Sequence, residues 1–127
     1  MSAARKRVNE IGRMFFSTFE FDRQWERMGL NDEDKRKLEN EIANDPAMGA
    51  VMRGTGGLRK MRFALEGRGK SGGSRVLYVD FVVYERVYLI YAYPKNEKEN
   101  ISPEEREMFR KIIEQTRKYL AGGQDHE

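Results

Sequence analysis

The chain has 127 residues, a length that suits one domain with a core large enough to stand without staples. It holds no cysteine, which excludes disulfides, thiolate zinc sites and cysteine nucleophiles, and its one histidine, His126, lies in the tail. The net charge is only +3, but seven cations face the single carboxylate Glu66 between Arg53 and Arg75, a basic stripe of the kind that meets an anionic partner. No run approaches the ~18 apolar residues of a membrane span, and no signal-peptide core follows Met1, so a cytoplasmic protein is expected.

In chain order, residues 1–13 read as a polar, basic arm, either a short helix or loose. Phe15 to Phe19 is short, aromatic and bounded by charge, which predicts a strand. Glu20 to Met28 predicts a helix with Phe21, Trp25 and Met28 on one face, closed by Gly29. Asn31 is a good N-cap for a second helix running to about Ala43, because Asp32, Glu33 and Asp34 suit the positive end of its dipole. Asn44-Asp45-Pro46 ends it. Met48 to Gly57 reads as a loop.

Leu58 to Leu65 predicts a strand. Side chains alternate, so Met61 and Phe63 point one way and Lys60 and Arg62 the other. A glycine-rich hairpin loop, Glu66 to Ser74, joins it to a hydrophobic strand from Arg75 to Val83. After a turn at Tyr84 to Arg86, Val87 to Tyr93 returns as another, and these two form the sheet centre. Ser102-Pro103-Glu104-Glu105 is a capping box with proline at the first helical position. That helix runs to Leu120 with Phe109, Ile112, Ile113, Thr116 and Leu120 inward, and residues 122–127 form a tail. The fold expected is α+β, with N-terminal helices packed on a small, mainly antiparallel sheet and a C-terminal helix, in one domain over residues 14–121.

Gly67-Arg68-Gly69-Lys70-Ser71 invites comparison with a nucleotide-triphosphate loop. That motif needs glycine where Ala64 stands and must open a helix, whereas Gly72-Gly73 leads into a strand. Glycine lets backbone amides approach an anion, and interleaved Arg and Lys supply charge and donor forks. The segment therefore reads as an RNA phosphate-binding surface, with Arg53, Arg59 and Arg68 as contacts. Lys60, Arg62 and Arg75 converge from the flanking strands, where like charges repel unless an anion neutralises them. Tyr88, Tyr91 and Tyr93 are candidates for stacking on bases, although their strand is the most hydrophobic in the chain. No His/Asp/Glu cluster suggests a metal, and no cofactor is expected.

Gly54-Thr55-Gly56-Gly57-Leu58-Arg59-Lys60-Met61-Arg62, followed by Gly69-Lys70-Ser71-Gly72-Gly73-Ser74-Arg75-Val76, resembles the RelE/HigB family of bacterial toxins, on its HigB-like branch. Phe16-Ser17-Thr18, Asn44-Asp45-Pro46 and Lys95 to Ser102 extend the resemblance across Met14 to Leu120. It implies a twisted, microbial ribonuclease-like sheet and the toxin of a type II toxin–antitoxin system. The activity implied is metal-independent endonucleolytic cleavage of mRNA in the ribosomal A site, with a helix-turn-helix antitoxin as partner. By position, Lys60 and Arg62 match the family's basic pair, Arg75 the arginine at the scissile phosphate, and Lys95 the basic residue after the last strand. Lys70 is a further candidate for the base. Asn96 stands where the family often has arginine and is read as an RNA contact, and Ser102 stands where some members have tyrosine. A catalytically degenerate RNA- or ribosome-binding regulator is the alternative.

Overall fold

The computed structural model describes residues 7–8, 12–64 and 73–122. Three helices pack on one six-stranded sheet, with strands in the order β1-β2-β6-β5-β4-β3. The strands are β1 (Arg7–Val8), β2 (Met14–Ser17), β3 (Ala50–Val51), β4 (Arg59–Phe63), β5 (Ser74–Phe81) and β6 (Arg86–Pro94); the helices are α1 (Phe19–Arg27), α2 (Asp32–Asn44) and α3 (Pro103–Gly122). Pairing is antiparallel except between β2 and β6, which run parallel. β5 and β6 lie at the centre, as their continuous apolar runs require of strands covered on both faces.

Local chemistry places each helix. Thr18 caps α1 by accepting from the Phe21 amide, and Asn31 with Asp34 forms a reciprocal capping box on α2. The two helices bury Phe21, Trp25, Leu38 and Ile42 against Phe15, Met61, Phe63, Val76 and Leu89 on one face of the sheet. On the other face, α3 lays Phe109, Ile113 and Leu120 over Leu77, Val79, Phe81, Tyr91 and Tyr93. Each such fully buried aromatic or aliphatic side chain stabilises the fold by about 1.5–3 kcal/mol.

Several expectations change. Phe19 belongs to α1, not to the strand before it, and is 67% exposed. The expected 48–57 loop contains β3, which pairs with β4. Arg7–Val8 pairs antiparallel with β2, so this part of the arm is neither helical nor loose. β5 ends at Phe81 rather than Val83: Val82–Tyr84 winds into a 3₁₀ turn, and Glu85 closes it in the left-handed region at φ 55°. Ile112 is only half-buried on α3. A register shift between Leu77 and Tyr78 leaves Ile90 as an extra residue in β6, so Ile90 and its neighbour Tyr91 both join the α3-side core. Leu65 at the end of the predicted strand, most of the predicted hairpin loop (residues 66–72) and His126 lie outside the described residues.

Candidate active site

Strand alternation carries the cations to one place. Met61 and Phe63 are buried under α1 and α2, so Lys60 and Arg62 project from the α3 side of the sheet. The register sets Arg62 directly opposite Arg75, and Arg75 directly opposite Tyr93. Directly opposed residues stand about 4.5–5.5 Å apart at Cβ, so the two guanidinium stems leave the sheet side by side. Neither has an ion-pair partner among the described residues, and the buried Nε of Arg75 has no hydrogen-bond partner there. A buried donor left unmade costs about 1–3 kcal/mol. An anion seated between the two arginines would satisfy that donor and screen their repulsion.

Around this pair the neighbouring segments close in. Lys60 Nζ donates to Asn100 Oδ1 at 3.1 Å. The Lys95 amide donates to the Gly73 carbonyl at 3.0 Å, so the residue after β6 is tied to the start of β5. Gly73 has φ 63°, and a Cβ on it would come within 2.6 Å of the Phe63 carbonyl oxygen. The end of β4, the start of β5 and Lys95 therefore meet where no side chain fits. Gly73→Ala should destabilise the fold by about 1–3 kcal/mol from backbone strain, measured as a fall in thermal midpoint, and should disturb the Arg62–Arg75 pairing. An unchanged midpoint would refute this.

Not every residue expected at the site is there. Arg59 lies on the opposite face; its Nη1 donates to the Gly49 carbonyl at 2.6 Å, with a longer 3.3 Å bond to Ala47, holding the turn before β3. The alternation that aligns Lys60 with Arg62 excludes their neighbour. Tyr93 is fully buried, pressed against Tyr91 with ring centroids 5.9 Å apart, so its ring offers no face to a base. Tyr88 and Tyr91 are buried as well. Burial pushes the Tyr93 phenol above its ordinary range, and the charges of Arg75 and Lys98 draw it part of the way back. Arg53 is exposed at the edge, with its carbonyl held by Arg106. Asn96 is exposed and Lys95 half-buried. Arg68 and Lys70 lie outside the described residues.

The Gly54-Thr55-Gly56-Gly57 run shapes the approach to β4. All three glycines sit at positive φ, and the buried Thr55 hydroxyl donates to Met52 and accepts from the Leu58 amide. Among the described residues, no group of three His, Cys, Asp or Glu could hold a metal ion.

The residues that sequence patterning missed are on the segment after β6. Lys98 Nζ stands 5.3 Å from the ring centroids of both Tyr91 and Tyr93 and bonds both carboxylate oxygens of Glu105, at 2.9 and 3.1 Å. Glu105 is the acid of the predicted capping box, accepting from the Ser102 amide at 2.8 Å while Ser102 Oγ accepts from the Glu105 amide at 3.0 Å. The box was legible, and it was the one signal that this segment folds back on α3.

The sequence matches the family described as the RelE toxin of the RelE/RelB toxin–antitoxin system, over residues 13–122. A solved structure of a mutant of the E. coli toxin RelE in the free state aligns with a TM-score of 0.47 and 18% sequence identity, covering 67% of this chain and 85% of that one.

Proposed function

The chain belongs to the RelE toxin family of toxin–antitoxin systems, and from that premise we propose that it is an endoribonuclease that cuts mRNA in the ribosomal A site. The observation that carries this reading is the Arg62–Arg75 pair: two opposed guanidinium groups, no carboxylate paired with either among the described residues, and a buried Arg75 Nε without a hydrogen-bond partner there. Such a seat fits a phosphodiester whose charge grows during reaction.

In the proposed reaction the substrate's own 2′-OH attacks the adjacent phosphorus. The O2′–P bond forms, the P–O5′ bond breaks, one proton leaves the 2′-oxygen and one reaches the 5′-oxygen. The products are a 2′,3′-cyclic phosphate and a 5′-hydroxyl end. Arg62 and Arg75 stabilise the extra negative charge of the phosphorane. Lys60, oriented by Asn100, stands beside them as the group that activates the 2′-OH; Lys70 is the other candidate. Lys95 supplies charge from the third side. Among the described residues, no helix is long and apolar enough to cross a membrane.

A family toxin of this kind has an antitoxin partner, which we propose to be a small helix-turn-helix protein. One observation favours the second reading, a binder without catalysis: two carboxylates that could serve as proton-transfer groups are paired instead with cations, Glu97 with Arg27 at 3.4 Å and Glu105 with Lys98. Induced expression of the chain in a bacterium, with primer extension on translated messages, separates the two. The expected result is growth arrest with new mRNA ends bearing 5′-hydroxyls. Ribosome binding without new ends would leave the binding reading and overturn cleavage.

A further inference from the structure

The mechanism above uses cations on β4, on β5 and just after β6, and gives Lys98 no part. Lys98 is held near the site by two carboxylate bonds and by the two tyrosine rings beneath it. Arg75 approaches Tyr93 from the sheet, and Lys98 covers it from the segment after β6, so both charges act on one buried phenol. Tyr93 thus links the Arg62–Arg75 seat to Lys98 without reaching solvent itself.

We infer that Glu105 is a positioning residue for the reaction: by holding Lys98 on the Tyr91–Tyr93 platform it fixes residues 95–102, and with them Lys95 and the Asn100 contact to Lys60, against the arginine pair. This inference rests on the cleavage reading. Glu105 is suited to the task because it is anchored twice. Its Oε1 accepts from the Ser102 amide at the start of α3, and both its oxygens accept from Lys98. The segment after β6 is therefore fastened to a helix that is itself packed on the sheet through Phe109 and Ile113. Geometry of this kind matters because a displacement of about 1 Å can cost a hundredfold in rate.

The charge states agree. Burial would pull the Lys98 ammonium down, but the Glu105 bond and charge, with Tyr91, outweigh it, so Lys98 stays protonated beyond the ordinary lysine range. Burial would likewise push Glu105 up, but the Ser102 amide and Lys98 hold it below the usual carboxylate range. The stability that ionised Glu105 contributes is therefore fully present above the unfolded carboxylate pKa and is lost as pH falls through the lowered value.

Glu105→Gln tests this in the full chain. Glutamine keeps an oxygen for the Ser102 amide and turns an NH₂ toward Lys98, so the cap survives and the ion pair does not. Two readouts are needed: acetylation of Lys98 by acetic anhydride, followed by mass spectrometry, and single-turnover cleavage of ribosome-bound mRNA. The expected result is severalfold faster labelling of Lys98, a rate lowered about tenfold or more at saturating substrate, little change in KM, and an alkaline decline in rate that begins at lower pH. Ser102→Ala, which weakens the helix cap alone, should change none of these more than about twofold. Equal labelling of Lys98 in wild type and E105Q would overturn the inference, as would a full cleavage rate in E105Q. An inert wild type would overturn the cleavage reading instead, while the labelling arm still decides whether Glu105 holds Lys98.

Discussion

Arg75→Ala should lower the single-turnover rate of mRNA cleavage by a hundredfold or more while leaving the fold as stable as before, or more so. Both halves follow from the same geometry. Arg75 stands directly opposite Arg62, and no carboxylate among the described residues pairs with either. In the free protein the pair is a liability, since like charges opposed across a sheet repel and the buried Arg75 Nε has no acceptor among the described residues. In the transition state the pair meets an extra negative charge, and losing one preorganised contact of that kind typically costs about 10²–10³ in rate. A residue kept for packing would show the reverse pattern, with lost stability and lost activity moving together. Arg75→Lys should recover only part of the rate, because an ammonium gives a point charge without the planar fork. The measurement is cleavage of programmed ribosomes beside a thermal melt of the same preparation. An R75A rate within a few-fold of wild type would sink the assignment.

The β4 segment shows how far the sequence could be read. Period-two alternation over Arg59-Lys60-Met61-Arg62-Phe63 separated the core residues from the cations, and it held because both faces of that strand obey one rule. The same rule removes Arg59 from the site, a consequence that grouping by charge had hidden. The burial of Tyr93 was hidden for a different reason. Whether an aromatic on a central strand stacks on a base or on a neighbour depends on what covers it, and the cover comes from Lys98 across a turn and from the α3-side core. The extra residue Ile90 could not be read at all, since a bulge appears only once the partner strand's register is fixed. Glu105 was recognised as a cap, yet its second bond, to Lys98, joins residues seven apart across a turn that no periodicity describes.

The second large effect concerns the support beneath that turn. Phe109→Ala should destabilise the protein by about 3–5 kcal/mol, lowering the thermal midpoint by roughly 10 °C or more in a chain of this size. Phe109 is 2% exposed and lies against Tyr91, ring centroids 5.2 Å apart, in the core between α3 and the sheet. Truncation removes the ring's transfer free energy and leaves a cavity that the sheet is too rigid to close. Phe109→Leu should cost less than half as much, since most of the volume remains. Tyr119→Ala, on the same helix but 55% exposed, should change stability by no more than about 0.5 kcal/mol. The site should respond too. Tyr91 is one of the two rings under Lys98, so a cavity below it loosens the platform that Glu105 and Lys98 share. Acetylation of Lys98 should therefore quicken in F109A at temperatures well below its midpoint, and not in Y119A. If F109A melted within 3 °C of wild type, α3 would not be the element that holds this side of the sheet, and the proposed route from helix to site would lose its foundation.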